Sequence, residues 1–227
     1  MKITYLGHAT LLIETAQKSI IVDPFISGNP LNKGQIKPEN FKVDYILITH
    51  AHQDHVLDVE SIMQANPQAK IISNFEIVTY YGQKGFDGHA MNHGGSRQFD
   101  FGKVTMVNAW HSSSFADGTY GGNPAGFVIE SEGKSVYIAG DTGLSMDMKI
   151  IPLFTKLDLA ILPLGDNFTM GIDSAVVAAD YVQCDKVLGY HFDTWEPIVI
   201  DHKAAKNAFD KSGKDLILLD LEGNVEI

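Results

Sequence analysis

The chain has a single cysteine, Cys184, in 227 residues. A lone thiol excludes an intramolecular disulfide and a thiolate cluster for zinc, and it fits a reducing compartment in which Cys184 serves as a small buried apolar side chain. Positive charge is scarce too: 17 lysines and arginines stand against 28 aspartates and glutamates, a formal net charge of −11. That balance repels a phosphate backbone, and no lysine/arginine cluster compensates locally, so no nucleic-acid partner is expected. Divalent cations can offset negative charge inside one pocket, which leaves a small anionic substrate open. No apolar run approaches the ~18 residues of a membrane span. The chain opens on strand-like MKITYLGH and not on a basic-then-apolar signal. The expectations are no membrane association and a cytoplasmic location. Low-complexity and Pro/Gly/Ser-rich stretches are also missing, so no linker is marked and one continuous domain over residues 1–227 is expected.

What is present is an ordinary globular composition, 44% hydrophobic and 20% charged, in a chain long enough to bury a sizeable core. Short β-branched runs read as strands: Ile3 to Leu6, Leu11 to Glu14, Ser19 to Val22, Tyr45 to Ile48, Lys70 to Ile72, Val104 to Val107, Gly126 to Glu130, Ser135 to Ile138, Leu159 to Leu162, Lys186 to Gly189 and Leu216 to Leu219. Helical patterns fall between some of them: VLDVESIMQAN, NFEIVTYYGQKG, DSAVVAADYVQ with Asp173 as expected N-cap, and DHKAAKNAFDKSG with Asp201 as cap and Gly213 as stop. Strands followed by helices predict a mixed α/β fold. There is also an internal echo. LLIETAQKSIIVDP and FVIESEGKSVYIAGD each read as strand, Lys-Ser turn, strand and aspartate, a pattern that implies two similar halves facing each other.

The chemistry gathers in THAHQDH, residues 49–55, which holds three of the nine histidines. A buried strand ends there and a helix begins. His50 and His52 project to one side by alternation, while Asp54 and His55 on the first helical turn reach an adjacent point, so two neighbouring metal positions are predicted. Neutral imidazoles and a carboxylate suit zinc, iron, manganese or nickel, and the missing thiolates remove any soft-ligand preference. Three further apolar segments end on a ligand-type residue: VTMVNAWH at His111, SVYIAGD at Asp141 and KVLGYH at His191. Reactive groups in α/β folds collect at the carboxyl ends of strands, so these ends are expected to converge with THAHQDH on one crevice.

THAHQDH together with His111, Asp141 in AGDTG and His191 in GYH resembles the metal signature of the metallo-β-lactamase superfamily of hydrolases. The similarity extends through GHATLLIE, IVDPFISGNP, GGSRQFDFGKV, GGNPAGFVIE and HFDTWEPI. It points to a branch of uncharacterised metal-dependent hydrolases, with ascorbate-6-phosphate lactonases as more distant relatives. The resemblance implies a four-layer αβ/βα sandwich with a metal site at one edge between two sheets. It also implies His50, His52 and His111 on a first metal, Asp54, His55 and His191 on a second, and Asp141 bridging both. Two divalent ions are expected, zinc first, with manganese, nickel or iron as alternatives. Cations sharing a carboxylate can also share a water and lower its pKa, so that hydroxide serves as nucleophile toward a small ester, lactone or phosphodiester. Asp54 is open between ligand, orienter of the hydroxide and proton carrier.

Asp23 in IIVDPF suits a hydrogen bond from a metal-bound histidine or a turn cap before Pro24. His8 in YLGHAT suits a pocket wall or a plain turn. Asp166, Asn167, Asp193 and Trp195 fall within reach of the crevice, with packing the prior role for Trp195, whereas His89, His93 and His202 lack a strand-end context. The glycine-rich SFADGTYGG after His111 suits a rim or lid or a simple turn. β-Lactam hydrolysis is not expected, because the zinc-ligating cysteine of the commonest lactamase subclass has no counterpart. A metal-binding sensor or scaffold without turnover is the alternative from another class. The partner expected is a small-molecule substrate. Homo-oligomerisation is open, with a symmetric dimer as the general prior.

Overall fold

The β-branched runs pair into two sheets with matching internal order. A computed structural model describes residues 1–227. In chain order the strands are β1 (Lys2–Tyr5), β2 (Leu11–Glu14), β3 (Ser19–Val22), β4 (Tyr45–Leu47), β5 (Lys70–Asn74), β6 (Gly88–Met91), β7 (Ser96–Phe99), β8 (Gly102–Asn108), β9 (Ala125–Ser131), β10 (Lys134–Ile138), β11 (Leu159–Pro163), β12 (Lys186–Tyr190), β13 (Asp215–Ile217) and β14 (Asn224–Glu226). One sheet runs β14-β1-β2-β3-β4-β5-β6 and the other β13-β12-β11-β10-β9-β8-β7. In the first sheet β14, β1, β2 and β3 pair antiparallel, then β3 through β6 pair parallel. The second repeats the scheme: β7 through β10 are antiparallel and β10 through β13 parallel. The hairpin echo is therefore structural. β2-β3 and β9-β10 occupy corresponding places, and each leads into the parallel half of its sheet.

Five α-helices accompany them: α1 (Gln53–Val56), α2 (Val59–Ala65), α3 (Phe75–Gln83), α4 (Ile172–Tyr181) and α5 (His202–Lys211). Between the sheets, Ile3, Leu11, Ile13, Ile20 and Leu47 pack against Val104, Phe127, Ile129, Val136, Ile138 and Leu188. On the outer face of the first sheet Ile46, Ile48 and Ile71 meet Ile62, Met63, Ile77 and Tyr81 of α2 and α3. Outside the second, Ala160, Leu162 and Val187 meet Ala175, Ala178 and Ala179 of α4 and Phe209 of α5. Burial on both faces explains the unbroken apolar runs of the central strands, including β11, whose five residues are all buried. The result is the expected four-layer αβ/βα sandwich. No helix is long and apolar enough to cross a membrane.

Several local expectations need correction. The helix read over residues 56–66 is divided into α1 and α2, because Asp58 turns its carboxylate back to the Ile26 and Ser27 backbone N–H groups, at 2.5 and 2.9 Å, and to the Ser27 hydroxyl. Asp173 lies inside the first turn of α4, and Gly171 is the N-cap. Asp201 does cap α5, accepting from Lys203 and Ala204 N–H. β8 stops at Asn108, so His111 stands three residues beyond its strand and not at its end.

Candidate metal centre

Each residue of the site leaves a strand at the same edge of the sandwich. His8 follows β1, Asp23 follows β3, and His50, His52, Asp54 and His55 span the passage from β4 into α1. His111 follows β8, Asp141 follows β10 and His191 follows β12. Three of these turn sharply through left-handed backbone: His8 at φ 56°, Asp23 at φ 44° and His191 at φ 54°. Non-glycine residues adopt that region at a cost, and such cost concentrates at functional sites. Gly140 makes the equivalent turn before Asp141 at φ 67°. A side chain there would lie 2.6 Å from the Ala125 carbonyl and 3.1 Å from Thr49 Cβ, so glycine is required.

The ligand atoms fall into three overlapping groups: His50, His52 and His111; His50, His55 and Asp141; and His8, Asp54, His55 and His191. Asp141 stands between the flanking groups. Its Oδ2 is 3.0 Å from His191 Nε2, 3.6 Å from His111 Nε2 and 4.0 Å from His50 Nε2, and its Oδ1 is 3.4 Å from His55 Nε2. All seven residues expected from the sequence as ligands are brought together, and His8 joins the group of Asp54, His55 and His191.

The histidines are aimed by contacts at their outer nitrogens. Asp23 is fully buried and accepts from Thr49 N–H at 2.8 Å and the Thr49 hydroxyl at 2.7 Å. His55 Nδ1–H donates to the same carboxylate at 2.9 Å, which leaves its Nε2 lone pair pointing into the cluster. His50 Nδ1 contacts Thr49 Oγ1 at 3.0 Å; because that hydroxyl already gives its proton to Asp23, His50 is the donor and its Nε2 also faces inward. His8 differs. Its Nε2 meets Asp54 Oδ2 at 3.0 Å and its Nδ1 meets Thr194 Oγ1 at 2.8 Å. Since an ionised Asp54 only accepts, Nε2–H donates to it and Nδ1 takes the Thr194 hydroxyl proton. The His8 carbonyl also accepts the His191 N–H at 2.8 Å, tying the two sheets together beside the cluster.

Protonation follows these surroundings. Burial, aided by His55, pushes His50 well below the ordinary imidazole range. Burial also lowers His52 and His111. His8 is pushed down to about 4 by burial and by neighbouring His191. At His55 burial opposes the charge, but Asp141 and Asp23 overcome it and hold the imidazole well above its usual value. Burial would raise Asp54 and Asp141. The hydrogen bond from His8 and the charge of His55 keep Asp54 low, and His191 and His55 do the same for Asp141.

Of nine buried side-chain polar atoms that lack a hydrogen-bond partner, four belong to the cluster: His55 Nε2, Asp141 Oδ1, and both Nδ1 and Nε2 of His191. Buried polar atoms are normally satisfied, and unpartnered imidazole and carboxylate atoms within clustered His/Asp groups suit a divalent cation. The residues therefore fit a metal.

Other residues fall around the cluster or away from it. The Trp195 ring lies 4.8 Å from His8 and 5.8 Å from Phe25. Asp193 turns away, bonding the Ile200 N–H at 2.9 Å and His202 Nε2 at 2.5 Å. His93 contacts the Pro124 carbonyl and His89 packs edge-on to Phe99, both outside the cluster. Asp166 and Asn167 make a left-handed turn pinned next to the site through Met170 N–H and the Thr142 carbonyl, 2.9 Å apart. Sequence reading missed Thr49 and Thr194. A threonine beside a histidine is no motif, and only the folded contacts show which nitrogen each one meets.

A family model described as a beta-lactamase superfamily domain matches residues 2–191. A UPF0173 metal-dependent hydrolase of Flavobacterium johnsoniae is 61% identical over 227 residues, covering 100% of both chains. The UPF0173 metal-dependent hydrolase YtkL of Bacillus subtilis is 46% identical over 209 residues, 90% of this chain and 91% of that one. Among solved structures, Igni18, a metallo hydrolase from the archaeon Ignicoccus hospitalis, superposes with a TM-score of 0.89 at 35% identity, covering 99% of this chain and 97% of its own. Such identity along the whole length, joined to this superposition, makes the chain a member of the UPF0173 metal-dependent hydrolases of the metallo-β-lactamase superfamily.

Proposed function

We propose that the cluster holds two divalent cations, zinc in the first instance, and hydrolyses a small ester, lactone or phosphodiester. The observation that supports two positions is the central place of Asp141, whose Oδ2 lies within 4.0 Å of His50, His111 and His191 while its Oδ1 lies 3.4 Å from His55. His50, His52 and His111 would hold one cation, Asp54, His55 and His191 the other, and Asp141 both. Bound cations supply Lewis acidity and lower the pKa of water toward neutrality.

The protein's own groups do the rest. Asp23 and Thr49 fix the tautomers of His55 and His50, so that each presents a lone pair inward. His8 holds Asp54 as an ionised carboxylate in one orientation. A carboxylate on the half-buried side of the cluster is placed to accept a proton from attacking water and return it to the leaving oxygen. The partner is thus a small molecule.

The test is a p-nitrophenyl ester, lactone and phosphodiester panel assayed with zinc, manganese or nickel. Turnover lost in His52→Ala and Asp141→Ala and kept in His202→Ala is the expected result. Two bound metals with no turnover on any member would contradict it.

A further inference from the structure

No lysine or arginine neighbours the cluster residues in sequence or pairs with their carboxylates, and aromatic side chains stand on the loops at the same edge. Lysine and arginine are absent from residues 3–17, 19–32, 43–69, 104–133, 135–148, 157–185 and 187–202. Every residue of the metal centre lies in one of those stretches. None of the ion pairs made by Asp23, Asp54 or Asp141 involves a lysine or arginine; their partners are all histidines. Two divalent cations bring four positive charges, and these three carboxylates set three negative ones against them. The loaded site is close to neutral, and no lysine or arginine flanks its residues in sequence to pair with an anionic group remote from the metals.

Large apolar side chains occupy the same edge. Trp110 precedes His111, and its backbone is clamped beside Asp141: its N–H donates to Thr142 Oγ1 at 2.9 Å, and its carbonyl accepts from Gly143 N–H at 3.1 Å. Phe168 sits on the turn pinned to Thr142 through Met170. Trp195 packs on His8. These rings keep 66%, 56% and 38% of their surface exposed, and Leu144, three residues after Asp141, keeps 39%. Burying such surface needs an apolar partner, and an exposed aromatic cluster at a site is the usual seat of a ligand's apolar part.

We infer that the substrate is a neutral carboxylic ester or lactone with an apolar arm, which Phe168 and Trp195 cover while the acyl group reaches the cluster. This inference rests on the hydrolase reading above and excludes substrates with a distal phosphate or carboxylate. In the reaction the acyl carbon–oxygen bond breaks, water's oxygen bonds to the acyl carbon, one of its protons ends on the leaving oxygen, and the other leaves the acid formed as a carboxylate. A lactone opens to a hydroxy acid by the same balance. The product is an anion, and with no lysine or arginine flanking the cluster residues in sequence its departure is favoured.

The test compares p-nitrophenyl butyrate with p-nitrophenyl hemiglutarate, which adds a carboxylate at the end of the arm, and with bis(p-nitrophenyl) phosphate, all on the metal-loaded protein. The butyrate is expected to be favoured at least about tenfold in kcat/KM, the scale of one well-matched pocket contact. Phe168→Lys should shift that ratio toward the hemiglutarate, and Trp195→Ala should raise KM for butyrate more than for acetate; retained metal content shows that both variants fold. Preference for the hemiglutarate or the phosphodiester overturns this inference and leaves the hydrolase reading standing. No turnover of any member by protein carrying two metals overturns both.

Discussion

Asp54 meets two histidines in different ways. His8 Nε2 donates to it at 3.0 Å, whereas His55 Nε2 stands 3.9 Å away with its lone pair unpartnered. His8 is therefore a positioning residue: fully buried, held at its far nitrogen by Thr194, and packed 4.0 Å from the His191 ring. His8→Ala is expected to weaken metal binding at the Asp54 position by roughly 10–100-fold, the usual effect of removing a partner that orients a ligand. Metal titration of the variant checks this, and binding at the His50, His52 and His111 position should be unchanged. Protonation gives a second expectation. His55 is held well above the ordinary imidazole range by Asp141 and Asp23 against its burial, whereas burial lowers His50, His52 and His111. Coordination requires neutral imidazole, so loading should release protons, and affinity at the His55 position should fall as pH drops. Calorimetry in two buffers of different ionisation enthalpy measures that release; none at pH 7 would contradict the assignment.

At the scale of the element, the site depends on how strands end. Gly140 turns β10 into Asp141 at φ 67°, with the Ala125 carbonyl 2.6 Å from where a β-carbon would stand. Gly140→Ala should cost more than about 1 kcal/mol of stability, read by denaturant unfolding, and should lower metal content because Asp141 moves with the turn. The same elements show what was legible in advance. Central strands with both faces buried announce themselves as unbroken β-branched runs, and those runs end on His50, Asp141 and His191. The strands that escaped notice, β6, β7 and β14, are all sheet edges. GHAM, SRQF and NVE have little buried surface, so no apolar period marks them. Asp23 was visible as an acceptor for a histidine of the cluster, though not for which one, since His55 is 32 residues away in sequence; His8 was visible as a candidate but not in its role, which depends on a contact 46 residues away.

Over the whole molecule, two sheets of the same internal order face each other, and their hairpins deliver matching aspartates to one edge. Asp23, at the end of the first hairpin, aims His55. Asp141, at the end of the second, faces both groups of histidines. One β-hairpin followed by a parallel strand thus has two uses, orientation in one sheet and, in the proposed function, shared ligation in the other. In the proposed function this shared position makes a two-cation site. Elemental analysis of the purified, metal-saturated protein tests it most directly. Two divalent ions per chain are expected, about one in His111→Ala and in His191→Ala, and none in Asp141→Ala; a single ion in the parent protein, or two in Asp141→Ala, would contradict the two-cation site.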